Sequence, residues 1–201
     1  MPRNKPKTGL QQSRILSYDI RAVNAEERRV TVSFSSEQPV TRWYGQEILA
    51  HDADSVDVTR LNSIGTALFN HNRDYVIGRV ENARLVADEK RTYADIVFDT
   101  DEKADLIFQK TQSGALKGVS VGYRVDIWEE VAPGKTSSNG RFTGPCDVAV
   151  RWSPMEISIV SVPADDSVGV GREMEDPWKP RDAPVQKLSQ LERQVKVNLN
   201  Y

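Results

Sequence analysis

In this 201-residue chain, the segment Gly118-Val119-Ser120-Val121-Gly122 is the one best suited to supply a nucleophile. Its letters match the strand-to-helix elbow that carries the serine of many α/β hydrolases. The chain continues, however, as Tyr123-Arg124-Val125-Asp126-Ile127-Trp128, which reads as strand, so the elbow's helix is missing and that fold is disfavoured. Period-two alternation puts Val119, Val121, Tyr123, Val125 and Ile127 on one face, ready for burial. Gly118, Ser120 and Gly122 fall on the other, leaving one hydroxyl in a surface stripped of side chains. A peptide laid across that face would bring its carbonyl to Ser120 Oγ. A bulge or a crowded barrel wall would use the same glycines.

A serine hydroxyl needs a base, and imidazole is the natural one at neutral pH. The chain has two histidines. His71, in Phe69-Asn70-His71-Asn72-Arg73-Asp74, stands at the end of an element among polar residues and is the better candidate. His51, in Leu49-Ala50-His51-Asp52-Ala53-Asp54, reads as part of a solvated loop. Because both histidines precede Ser120, a third group placed after the serine must be a carboxylate. Glu156 opens the otherwise apolar run Met155-Glu156-Ile157-Ser158-Ile159-Val160-Ser161-Val162-Pro163. A charge buried there needs a partner, and an imidazolium would serve. Alternatively, Glu156 starts its strand in solvent or pairs with Arg151.

These segments must be positioned by a mostly β framework. Alternation predicts strands from Ile15, over Arg29–Phe34, Tyr75–Val80, Ala83–Ala87, Tyr93–Phe98, Lys117–Val131, Val148–Trp152 and Met155–Val162. Asn24–Glu27 reads as the turn of a hairpin, and Ala87–Lys90 as a second turn. Val58, Leu61, Gly65, Leu68 and Phe69 recur at helical spacing, predicting a short helix that ends just before His71, capped by Asp54 or Asp57. The clearest helix is Asp101–Ser113, with Thr100 as cap, Ala104, Ile107, Phe108 and Thr111 as its inward stripe, and Gly114 as its stop. Strands outnumber helices, so a doubly wound parallel sheet is disfavoured and a mostly antiparallel barrel or closed sheet flanked by helices is expected.

The ends differ in composition. Residues 1–13 form a flexible basic arm (Arg3, Lys5, Lys7 with Pro2, Pro6 and Gly9), and 14–170 form the main domain. Residues 171–201 are a tail broken by Pro177, Pro180 and Pro184. There Val185, Leu188, Leu191, Val195 and Leu199 outline either a marginal helix or an amphipathic docking helix.

The formal net charge of −2 gives no electrostatic case for nucleic acid as the main partner, and the arginines are interspersed with acids. One cysteine, Cys146, excludes an intrachain disulfide; with only two histidines beside it, no zinc site is expected. No apolar run approaches the roughly 18 residues of a membrane span, and the polar start does not read as a secretory signal. No phosphate-cradling loop is present, and no cofactor is expected.

Three segments in order carry a resemblance. They are Leu68-Phe69-Asn70-His71-Asn72 with Val76-Ile77-Gly78-Arg79-Val80, then Gly118-Val119-Ser120-Val121-Gly122-Tyr123, then Glu156–Ala164. Together they resemble the tailed-phage prohead proteases over roughly Ile15 to Val168. The resemblance implies a serine endopeptidase with a fold similar to the herpesvirus assemblins, a β-barrel ringed by helices. It implies action inside the procapsid, in the host cytoplasm, on scaffolding protein or a scaffold-like segment of the major capsid protein, and on itself, in a homo-oligomer. Carried over residue by residue, Ser120 is the nucleophile, His71 the general base and Glu156 the third member; Asn72 stands where an Asp is common. Oxyanion donors would be sought near Ser161–Ala164. A non-catalytic scaffold-binding or capsid-assembly protein on the same fold is the alternative.

Overall fold

A computed structural model describes residues 8–16 and 20–162. The expected tail and its amphipathic segment lie outside the described residues. Ten strands follow in chain order: β1 (Gln11–Leu16), β2 (Ile20–Asn24), β3 (Arg29–Ser36), β4 (Val40–Arg42), β5 (Gly45–Leu49), β6 (Thr66–Phe69), β7 (Asn72–Val86), β8 (Arg91–Phe98), β9 (Gly118–Val131) and β10 (Cys146–Val160). Helix α1 (Thr59–Ile64) lies between β5 and β6, and α2 (Glu102–Gln112) between β8 and β9. The first strand starts four residues earlier than its sequence signal, so Gln11–Ser13 belong to β1 rather than to an arm.

The ten strands of the described residues join one sheet in the order β1-β9-β10-β6-β7-β8-β3-β2, with β5 also paired to β10, and β4 to β5. Most strand pairs are antiparallel, as expected, but the sheet is mixed and open, its described path ending at β1 and β2 rather than closing into the expected barrel. The reason lies in β10. Its 15 residues run antiparallel to β9 along one edge. Along the other edge its first part pairs parallel with β5 and its last part parallel with β6. β5 and β6 thus follow one another in the same direction along that edge, and the segment between them, which bridges Val56 to Trp152 and includes α1, carries the chain forward beside β10.

Local chemistry explains most boundaries. Asn24 Oδ1 accepts from the Glu26 and Glu27 amides and turns β2 into β3. Asp101, not Thr100, caps α2, accepting from the amides of Lys103 and Ala104, and Ala104, Ile107, Phe108 and Thr111 are buried as the stripe requires. The earlier helix is shorter than the spacing predicts. Gly65 turns to extended backbone, and a Cβ there would collide with Leu61 O, so Leu68 and Phe69 continue as β6. Two pairs of expected strands each merge into one. β7 runs through an irregularity between Glu81 and Arg84. β10 absorbs Pro154 at a register shift, where a missing amide costs no ladder bond.

One core cluster, including Phe34, Leu61, Ile77, Ile96, Val121, Tyr123, Trp152, Ile157 and Ile159, fills the space where β3 packs across from β9. Ile127, expected inside, is exposed; β10 shifts register opposite it.

His51 is not in a solvated loop but fully buried, with Nδ1 at 2.9 Å from Leu49 O and its ring edge-on to Trp152. Burial holds its pKa down to about 4. An unfolded imidazole protonates near pH ~6.5, so the unfolded chain binds more protons between the two values. Stability is therefore greatest above pH ~6.5 and declines, by ~3 kcal/mol over the whole window, as pH falls to about 4. Denaturant midpoints measured across this range are expected to fall more steeply for the wild type than for His51→Gln.

Candidate active site

Three neighbouring strands converge on one face of the sheet. In the β9–β10 ladder Ser120 pairs with Ser158, and Gly122 with Glu156. On the other edge of β10, Ile159 pairs with Phe69 at the end of β6. Residues two apart in a strand share a face, so Ser120, Gly122, Glu156 and Ser158 gather on one side while Val121, Ile157 and Ile159 enter the core.

The base arrives on a turn. Phe69 pairs with Asn72, leaving Asn70-His71 as a two-residue hairpin loop. Both residues have positive φ, 53° and 57°, the signature of the tight turn that matches strand twist. Asn and His are among the non-glycine residues that adopt this conformation most often, yet it is costly for either, so neighbouring bonds must hold the turn. The Asn70 amide donates to Ile159 O at 2.9 Å, and Asn70 Oδ1 accepts from the Ser161 amide at 2.9 Å. The His71 amide donates to Ser158 Oγ at 3.1 Å.

Held there, the imidazole bridges the other two groups. His71 Nδ1 lies 2.7 Å from Glu156 Oε1, and Nε2 lies 2.6 Å from Ser120 Oγ. Ser158 Oγ donates to Glu156 Oε2 at 2.7 Å, so both carboxylate oxygens are engaged. The carboxylate accepts the Nδ1 proton, which leaves the Nε2 lone pair aimed at the serine hydroxyl. Such a chain can draw a proton from Ser120 and stabilise the imidazolium that results. Glu156 thus neither faces solvent nor pairs with Arg151, which is exposed.

The three residues singled out from sequence are brought together; His51 stays with Leu49 and Trp152, away from them. The role of Gly122 differs from the expectation. A Cβ there would collide with Glu156 Oε1, so this glycine makes room for the carboxylate, not for a peptide. Nor is the serine in a bare patch, since Ser120 has no exposed surface. The Ser161 amide, sought as an oxyanion donor, is already taken by Asn70. Ser158 and Asn70 were missed as contributors. The signal for Ser158 was available, because it lies two residues after Glu156 and must share its face. Among the described residues no three His, Cys, Asp or Glu side chains gather as a metal site.

A sequence model of the caudovirus prohead serine protease family matches residues 33–177, and the chain belongs to that family. The chain is also similar to the major capsid protein of Halomonas phage phiHAP-1, at 36% identity over 144 residues, 70% of this chain. It spans only 23% of that relative's length. No solved structure matches the chain. Among the described residues, no helix is long and apolar enough to cross a membrane.

Gly122→Ala is expected to lower stability by ~1–3 kcal/mol, because the added methyl must displace a carboxylate pinned by two hydrogen bonds. Equilibrium unfolding of the variant checks this.

Proposed function

We propose that this chain is a serine endopeptidase of capsid maturation, with Ser120 as nucleophile, His71 as general base and Glu156 as the group that orients and stabilises the imidazole. The observation that carries the reading is the unbroken hydrogen-bonded chain from Ser120 Oγ through both ring nitrogens of His71 to Glu156. Family membership and the phage relative's name support a role at the capsid. The peptidase unit is read as the expected 14–170 together with the rest of β1, from Gln11. Its substrates are read as scaffolding protein or a scaffold-like segment of the major capsid protein, met inside the procapsid.

In the first half-reaction Ser120 Oγ forms a bond to the peptide carbonyl carbon while its proton moves to His71 Nε2. The negative charge on the carbonyl oxygen requires backbone N–H donors. Collapse of the tetrahedral intermediate breaks the C–N bond, and His71 returns its proton to the departing amine. Water then attacks the acyl-enzyme, giving a proton to His71; the C–Oγ bond breaks, and Ser120 regains its proton. Glu156 holds the Nδ1 proton throughout and balances the positive ring. Ser158 acts through Glu156 and the His71 amide and is a positioning residue.

Co-expression with the cognate capsid and scaffolding proteins, followed by mass spectrometry of all chains, tests the reading. Ser120→Ala is expected to fold with unchanged circular dichroism and to abolish cleavage. Glu156→Gln, which can hold the wrong imidazole tautomer, is expected to reduce the rate by roughly 10²–10⁴. Undiminished cleavage by Ser120→Ala removes the serine from the chemistry and favours the alternative of a non-catalytic assembly protein.

A further inference from the structure

The nucleophile is sealed. Ser120 has no exposed surface, yet acyl transfer requires a peptide carbonyl to touch its Oγ. Among the described residues its hydrogen-bond and ladder partners come from the His71 turn, from β10 and from β1, and they are not equally movable. His71 and Glu156 are needed for the chemistry, and β10 is a 15-residue strand bonded on both edges. The remaining neighbour is β1, a six-residue strand that, among the described residues, stands at the end of the sheet with its one ladder to β9 and Ile15 opposite Ser120.

The contact between β1 and the serine is chemically specific. Ser120 Oγ lies 2.9 Å from the Arg14 carbonyl oxygen as well as 2.6 Å from His71 Nε2. The hydroxyl has one proton, and a carbonyl oxygen and a neutral imidazole nitrogen can each only accept it. While β1 is in place, Arg14 O competes with the general base for the proton that catalysis must move.

The strand is also imperfectly anchored. The Arg14 side chain is buried; its Nη2 donates to Gln38 O, but Nε and Nη1 have no hydrogen-bond partner among the described residues. A buried guanidinium with unpaired donors is costly to keep out of water. Among the described residues, the other side-chain ties to β1 are from Arg42 to Ser13 O at 2.8 Å, Arg73 to Gln11 Oε1 at 2.9 Å and Tyr44 OH to Gln12 Oε1 at 3.4 Å. A terminal strand so held belongs to the part of the structure that opens most readily.

We propose that β1 is a displaceable strap: in the resting protein it covers Ser120 and diverts its proton, and it must leave the β9 edge before the serine can attack a peptide. The proposal rests on the peptidase reading and adds a latent state to it.

The test uses a reversible lock in the full chain. Gln11 and Arg124 are register partners, both exposed and outside the catalytic chain. Cross-strand neighbours of this kind have a Cα separation that a disulfide can span. In Gln11→Cys/Arg124→Cys, oxidation is expected to slow cleavage at least ~100-fold and reduction to restore it. Equal rates in the two redox states overturn the strap. Amide hydrogen exchange provides a readout independent of cleavage. Residues 11–16 are expected to exchange at least ~100-fold faster than 156–160, and equal protection of the two strands overturns the proposal. If β1 opens as expected while the reduced protein cleaves nothing, the strap stands and the serine-peptidase reading is what fails.

Discussion

The register of β10 is the constraint from which the site follows. This strand lies between the one that carries Ser120 and the one that ends in the His71 turn, so its alignment fixes both distances at once. What enforces the alignment is not the site but the opposite face, where Trp152, Ile157 and Ile159 are fully buried. A slip of one residue would turn these outward and bring Glu156 and Ser158 into the core. Each aliphatic side chain so exposed forfeits roughly 1.5–3 kcal/mol. The hydrophobic effect thus sets the geometry of a polar constellation to which it contributes no contact.

A second buried polar system lies on the interior side of the sheet, where Tyr123 of β9 packs edge-on against Trp152. Glu47 is fully buried and accepts from Tyr123 OH at 2.5 Å, from Arg42 Nη2 at 3.3 Å and from Tyr44 OH. Burial beside this carboxylate raises the pKa of both tyrosines, so they remain donors. Arg42 also reaches Tyr123 OH and Ser13 O. The network joins the β4–β5 hairpin, β9 and β1 through fixed bond directions that apolar packing does not supply. An apolar replacement of the same volume could match its stability but not that orientation.

The parts of this arrangement legible in the sequence were those set by local periodicity and by the demand of buried charge for a partner. The α2 stripe, the β2–β3 turn and the strand character of Gly118–Val131 follow from residue spacing. Glu156 was identifiable because a carboxylate in an apolar strand must be neutralised. Sheet order was not legible, since nothing local reveals that one long strand serves β5 and β6 in succession along one edge. The helix expected to run up to Phe69 failed for a related reason: β6 is covered on both faces, and a doubly buried strand has no alternation to distinguish it from a helix. His51 was misplaced because its polar neighbours are close in sequence, whereas Trp152, which covers it, is not. Gly122 was recognised as an absence of side chain, but what fills the absence comes from another strand.

The same division explains why such a site tolerates being closed. His71 occupies a backbone conformation that is costly for a residue other than glycine, yet its amide, its ring and the preceding Asn70 are all tied to β9 or β10. Its strain is therefore borne by the centre of the sheet, and the base is preorganised whether or not β1 is present. Ser120 belongs to the same rigid centre, but its accessibility and the fate of its proton depend on an edge strand. Separating these duties lets the strap's position change exposure without disturbing alignment. A site on mobile loops would have to reassemble its hydrogen bonds at each opening; here only the covering strand has to move.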